Sequence, residues 1–423
     1  MKASMAVLLV MVLLPSLGLA DNEPWVLSAN NWQQAEELLP APVLDRVKRG
    51  DYVFKIVPVD PEKFRANYSR RFWDASAANE GKYDLAPQLC GLADRSTGKM
   101  PAFFFGYPFP HIDPSDPRAG CKIAWNFAAA TMQGEGGGAT FTISAIDRDG
   151  EHRRLKLSMA MMAYLGRHGG PIDNPENMRG KGIVFLHEPT DLADVSFLAH
   201  QKNDWESQDL LWGYIPQTRR VRRLNSATRS DPIAGMDLYP DDGNCYAGKI
   251  EYMKWTLRGR GKILAPVMSA YALPMHPVTD TRFAVDIPTT RAAYETPGAK
   301  GVPWQIVDGL VYVPREVWIV EAESTDPQYN FARVLFYFDS DMYQIHWKLV
   351  YNRAGEYFYN AACSHHWAKT ADETYSAVAN DLVIGVNDKA NTATFGGRFT
   401  THFLERQFPR ERFTIPALTR GAD

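Results

Sequence analysis

Residues 210 to 242 read LLWGYIPQTRRVRRLNSATRSDPIAGMDLYPDD, an aromatic strand running into an arginine-rich strand and then an acidic turn. Leu210, Trp212 and Tyr214 share one face at period two, Pro216 and Gln217 turn the chain, and Val221 sits among four arginines. The same period puts Arg220 and Arg222 on one face and Arg219 and Arg223 on the other, so at most half of them can meet one surface. Asp237, Asp241 and Asp242 lie close enough in sequence to fold back as ion-pair partners for this run. A lipid headgroup or a partner surface is the alternative use of the cluster.

Strand patterns continue on both sides of this stretch. Residues 141–146 and 152–162 flank Asp147-Arg148-Asp149-Gly150, a hairpin signal. Segments 182–186, 194–200, 249–258, 315–322, 330–338 and 342–350 alternate in the same way, the last two closed by Asp339-Ser340-Asp341. Strands of this length, joined by polar turns, predict a mainly β, α+β protein with a large curved antiparallel sheet around a core or cavity. A doubly wound sheet is disfavoured, because helical stretches do not alternate regularly with the strands. The prolines at 266, 274, 277, 288, 297 and 303 leave residues 260–314 irregular and wrapped around the sheet.

The first part of the chain is different. Residues 21–130 read as a helical and loop-rich segment packed on a β domain spanning 131–423. Asn30 or Asn31 can cap a short helix through Leu39, residues 42–48 make another ending at Gly50, residues 52–59 alternate like a strand, and 61–78 are helical. FFFGYPFPHIDPSDP (103–117) holds too many prolines for regular structure and reads as an ordered aromatic loop, a lid or packing. Ahead of all this, Lys2, the apolar run 5–14 and Gly18-Leu19-Ala20 read as a signal peptide, residues 1–20, cleaved after Ala20. An apolar run of about ten residues ending at Pro15 falls short of the ~20 needed to span a bilayer.

Export makes the four cysteines two disulfides, because the periplasm is oxidising. Three pairings are open. Cys90 with Cys121 is favoured, since closing about 30 residues of Gly- and Pro-rich loop contributes roughly 3 to 4 kcal/mol in the chain-entropy model; Cys245 with Cys363 then follows by elimination. A metal site at Cys363-Ser364-His365-His366 is the alternative, but no CxxC or HxxxH partner stands elsewhere. His111 with Asp113 and Asp116, or the turn Asp237 to Asp242, could hold a cation, yet neither matches a twelve-residue calcium loop. We therefore expect no metal and no cofactor.

Enzyme signals are weak. The run Gly134-Glu135-Gly136-Gly137-Gly138 lacks the lysine and hydroxyl residue of a phosphate loop and reads as a flexible loop, and no GxSxG occurs. A net charge of −3 gives no global field for nucleic acid. The apolar strand faces are the better candidates for a site. Met253, Trp255 and Leu257 share a face, and Phe197, Trp212 with Tyr214, Phe336 with Phe338, and Trp347 stand on similar faces of other strands. Such faces make either sheet-to-helix core or the wall of a hydrophobic cavity, for which Trp and Met are well suited.

The segments WGYIPQTRRVRRL and GMDLYPDD, with GIVFLHEPTDLADVSFLAH before them, resemble the outer-membrane-lipoprotein-sorting superfamily. GYPFPHIDPSDPRAG with KIAWNF, PREVWIVEA and RVLFYFDSDMYQI extends the likeness over most of the chain and is similar to the bacterial family called domain of unknown function 1329. The resemblance implies a half-barrel with a helical plug and a periplasmic protein of Gram-negative bacteria that binds a lipid-like hydrophobic molecule. It implies envelope transport as the setting, near resistance-nodulation-division-type exporters and outer-membrane proteins. The chain departs from lipoprotein carriers in its length and its added N-terminal segment. A structural adaptor of an export complex is the second reading, and a hydrolase of an envelope substrate is the third.

Overall fold

In the computed structural model, which describes residues 23–398 and 401–421, the N-terminal segment follows its caps. The predicted leader, residues 1–20, lies outside the described residues. Strand β1 (Trp25–Leu27) leads to a short 3-10 turn, Trp32–Ala35, behind Asn31. Helix α1 (Ala41–Lys48) starts after Pro40, and β2 (Phe54–Ile56) follows it. The single helix expected over 61–78 is two. Asp60 caps α2 (Pro61–Arg65), accepting from the amides of Glu62 and Lys63, and Ser69 then caps α3 (Arg70–Ala78) afresh. A small hairpin, β3 (Tyr83–Leu85) and β4 (Leu92–Asp94), completes the segment. The segment does more than pack on the sheet. β1 pairs with β2, and Ile56 pairs in parallel with Tyr312 of the main sheet.

Helix α4 (Ala119–Met132) was not legible in the sequence. Its residues AGCKIAWNFAAATM are buried at eleven positions, so no polar face marks a helical period. The aromatic loop packs on it and is no free lid. Asn126 holds Phe109 by both its amide and its carbonyl, at 3.1 and 2.8 Å, and the Trp125 indole donates to Cys90 O at 2.6 Å.

The strands then run in chain order. They are β5 (Gly136–Asp147), β6 (Gly150–Ala163), β7 (Met178–Glu188), β8 (Ser196–Lys202), β9 (Leu210–Ile215) and β10 (Arg220–Leu224). After a turn-rich stretch come β11 (Met253–Val267), the short β12 (Leu273–Pro274) and β13 (His276–Pro277), and β14 (Arg282–Asp286). The small pair β15 (Arg291–Ala292) and β16 (Ile306–Asp308) precedes β17 (Val311–Ser324), β18 (Arg333–Asp339), β19 (Ile345–Tyr351) and β20 (Tyr357–Lys369). β21 (Ser376–Asn387), β22 (Thr392–Gly397), β23 (Thr401–Glu405) and helix α5 (Ile415–Arg420) end the described chain.

Among the described residues nineteen strands join in one sheet. Its spine is antiparallel, in the order β10-β9-β8-β7-β6-β5-β22-β21-β20-β19-β18-β17-β11. β23 continues along β5 where β22 ends. The end of β11 curls back to meet β20, pairing Val267 with His365 in parallel, so the sheet is mixed at its short contacts. Register shifts in most of the long pairs supply the bends. Three sequence expectations change here, the first being residues 260–267, expected to be irregular, which continue β11 as regular strand paired with β17. Residues 250–252 form a 3-10 turn before β11, and Gly136 to Gly138 are strand, not flexible loop. A Cβ on Gly137 would lie 2.6 Å from Phe403 O, so the glycines allow β23 and β6 to approach β5.

Apolar packing covers the sheet in three places. α4, α3 and the aromatic loop bury one face of β11, β17, β18 and β20. α1, β2 and the 292–312 segment bury the opposite face. Phe413, Ala417 and Leu418, around α5, cover one face of β6 to β9. Cys90 is bonded to Cys121, tying the β3–β4 hairpin to the first turn of α4, and Cys245 to Cys363, tying a turn to β20.

Helix α4 crosses β11 at Gly120, where a Cβ would stand 2.8 Å from the carbonyl carbon and oxygen of Trp255. Gly120→Ala should therefore lower the melting temperature. Alanine favours a helix over glycine by about 1 kcal/mol, but overpacking a tight core costs roughly 1 to 3 kcal/mol. A rise in melting temperature would show that α4 can move off β11.

Candidate functional site

The turn between α4 and β5 sets the edge of a cavity. Glu135, buried and at φ 61°, accepts a hydrogen bond from the amide of Gly169 and pairs with Arg167 at 3.1 Å and Arg406 at 3.3 Å. This fixes where the glycine strand begins. His168, beside the pair, sits 2.9 Å from Ser69 Oγ under the edges of Phe105 and Tyr375. Burial, then Arg71 and Arg406, push its imidazole down to about 4.

Beyond that turn lies an apolar cavity of about 280 Å3. Its floor is the face of β5 to β8 that carries Gly137, Met159, Met161, Gly182 and Ala199, and its roof is the end of α4 with Phe127, Ala128, Thr131 and Met132. Register puts Gly137, Met161, Gly182, Ala199, Leu211 and Leu224 in one cross-strand row, and Ala139, Met159, Val184, Phe197, Gly213 and Arg222 in the next. The sheet face that floors the cavity, the trough face, thus continues across the strands to β10. Met161, Phe197 and Ile215 on this face are exposed by 43, 36 and 42%, which large apolar side chains avoid when a face is closed.

Two buried cations stand at one end. A β-bulge at Arg179 turns its guanidinium toward α4, where it stacks on Trp125 at 4.9 Å and pairs with Glu251 at 2.7 Å. Lys249 is buried and donates to the carbonyls of Asp204 and Ser207. Burial lowers its pKa.

The aromatic residues singled out from the sequence lie around this cavity, and none lines it. Met253, Trp255, Phe336 and Phe338 are core beneath α4; the Trp255 indole donates to Ile250 O at 2.8 Å and packs against Tyr246, Phe336 and Phe338. Leu257 packs half-buried on the same cluster. Trp347 is on the opposite face, donating to Leu264 O at 2.8 Å. Trp212 and Tyr214 pack half-buried beside the α5 cluster. Phe197 alone of the nine projects from the trough face. The small residues of the floor carried no signal that periodicity could detect, except the alternation of Met and Ala in SMAMMA (158–163).

The acidic turn and the arginine strand do not meet. Asp241 pairs with Arg229 at 2.9 Å and accepts from Tyr329, and Asp242 pairs with Lys348 at 2.5 Å and accepts from Tyr359. Asp237 accepts from Asn387 and Thr392. Asp241 and Asp242 are buried, and buried carboxylates take cations or donors that are buried with them. Arg220, Arg222 and Arg223 stay exposed on the edge strand β10, while Arg219 is exposed in the left-handed turn before it (φ 51°) and does not share the strand face expected with Arg223. Among the described residues, no group of His, Cys, Asp and Glu could hold a metal ion.

Residues 26–403 match the family described as protein of unknown function (DUF1329). The chain belongs to that family. Similar solved structures include a putative outer membrane lipoprotein-sorting protein domain from Vibrio parahaemolyticus, 15% identical with a TM-score of 0.48, covering 72% of this chain and 100% of that one. A DUF1329 family protein from Desulfovibrio piger is 11% identical with a TM-score of 0.46 over the same shares, 72% and 100%. A LolA superfamily protein from Nitrosomonas europaea is 11% identical with a TM-score of 0.39, over 69% of this chain and 96% of that one. No curated protein matches the chain. The family resemblance read from the sequence holds.

Two outcomes follow from this geometry. Trp255→Ala should lower stability by about 3 to 5 kcal/mol as a core truncation, with apolar-ligand affinity per folded molecule unchanged; weakened affinity without a melting shift would return Trp255 to the site. His168 is neutral in the fold below the pH at which an unfolded imidazole, near 6.5, takes a proton. Stability should therefore be full above pH 6.5 and fall as pH drops toward 4. In urea titrations His168→Gln should flatten that limb by up to roughly 1.4 kcal/mol per pH unit, and an unchanged limb would show that His168 is protonated in the fold.

Proposed function

We propose that this protein binds or shuttles a lipid-like hydrophobic molecule in the periplasm of a Gram-negative bacterium, serving envelope transport. One observation carries the reading. A Cβ on Gly182 would meet nothing nearer than Met161 Cγ at 3.7 Å, an ordinary contact, so nothing in the protein requires glycine there. Glycine inside a strand weakens it and often marks the close approach of a ligand. Here Gly182 widens the floor of an apolar cavity between Met161 and Ala199. Methionines adapt to variable apolar shapes, and 280 Å3 is near the lower end of small-molecule sites, ~300 to 1,000 Å3. Two disulfides suit an exported chain.

Protein purified from its native periplasm should release a lipid-like molecule, in stoichiometric amount, into organic solvent, identified by mass spectrometry. Gly182→Leu, whose Cβ meets only ordinary contacts, should narrow the floor and cut the bound amount at least tenfold, with the melting temperature measured alongside to show that the fold is kept. Empty extracts and no transfer between vesicles would overturn the carrier reading. Capture of an exporter by ligand-free protein would then favour the structural adaptor.

A further inference from the structure

We infer that the trough takes an anionic amphiphile, with its chain across β6 to β9 and its head group held by Arg220 and Arg222. The inference rests on the hydrophobic-ligand reading and adds the chemistry of the head. Arg222 is the cross-strand partner of Gly213 and ends the row that begins at Ala139 and passes through Met159, Val184 and Phe197. Arg220 stands opposite Ile215, the exposed apolar residue at the same border. Both arginines therefore project from the apolar face itself. Among the described residues neither has an ion-pair partner, while the nearby acidic turn is satisfied by Arg229 and Lys348.

Charges on an edge strand also guard against edge-to-edge pairing, but that role is served equally from either face. A head-group role is served only from the trough face, because Arg223 pairs with Trp212 and so lies on the side packed by the α5 cluster. Length agrees. From β6 to β10 is four strand spacings, roughly 19 Å. One lipid chain is half of a ~30 Å hydrocarbon core, about 15 Å, and an arginine side chain spans the remainder. Guanidinium groups bind carboxylate and phosphate in two-pronged fashion, so a fatty acid and an acidic phospholipid share the recognisable chemistry.

The test uses full-length protein stripped of lipid. Equilibrium binding of palmitate, hexadecanol and lysophosphatidylglycerol is compared for the wild type, for Arg220→Gln/Arg222→Gln and for Arg219→Gln/Arg223→Gln. The wild type should bind palmitate or lysophosphatidylglycerol at least tenfold more tightly than hexadecanol, and which of the two is preferred tells a free carboxylate from a phospholipid. The first variant should lose that preference and its salt dependence while hexadecanol binding stays; the second should keep both. Hexadecanol bound as tightly as the anions, or equal losses in the two variants, would overturn the anionic head and leave the hydrophobic site standing. No binding of any of the three would remove both readings.

Discussion

Helix α4 has no polar side, and the rest of the molecule is arranged around that fact. A helix apolar all round must be covered all round. Strands β11 and β17 take one side, at a distance that only Gly120 permits against the Trp255 carbonyl. The aromatic loop takes the other, fastened by Asn126, by Trp125 and by the Cys90–Cys121 bond. Coverage ends at the last turn of the helix, where Phe127, Ala128, Thr131 and Met132 face the glycine-rich start of β5. The cavity is the place where helix and sheet diverge.

Buried charge fixes the loops that frame this arrangement. Asp339 is held by Arg315 at 2.7 Å and lies 3.3 Å from His346; burial opposes its charge, but the Arg315 guanidinium and the hydrogen bond with His346 hold its carboxyl far below the usual range. Asp241 with Arg229, Asp242 with Lys348, Arg179 with Glu251 and Glu135 with Arg167 repeat the device. Such pairs contribute little net stability over apolar residues, but losing one partner costs about 3 to 5 kcal/mol, so they make alternative loop positions expensive. The turn that carries Asp241 and Asp242 is thereby pinned beside β19 and β20, where Cys245 is also bonded to Cys363. This explains why the acidic turn has no charge to spare for the arginine strand.

What could be read in the sequence was whatever had one wet side. β6, the arginine strand β10 and β18 alternate because one face is exposed or half-exposed, whereas β19 is buried at six of its seven positions and was marked by the Asp339-Ser340-Asp341 turn before it. β20, YFYNAACSHHWAK, is buried at nearly every position, so its pattern has no period of two, and β21 fails in the same way. α4 was missed for the helical version of that reason. The cysteine pairing was legible because four cysteines leave only three pairings, and the loop between Cys90 and Cys121 singles out one of them. The cavity was not, because its floor is made of glycine and alanine, residues defined by what they lack, and the large aromatics that drew attention are the ones that core packing also needs.

The two faces of the sheet are covered unequally along its length. Over β11 and β17 to β20 both are closed, one by α4 and the aromatic loop and the other by α1 and the segment leading into β17. β6 to β9 are closed on one side by α5 and its approach. On their other side the small residues Gly182, Ala199 and Gly213 alternate with Met161, Phe197 and Ile215, which remain exposed. Glycine in a strand costs about 0.5 to 1 kcal/mol relative to alanine, and Gly182 has room for a side chain. Both features lower the stability of the isolated chain. This surface, apolar, less stable alone and bordered by arginines without an ion pair among the described residues, thus contrasts with the covered parts of the same sheet.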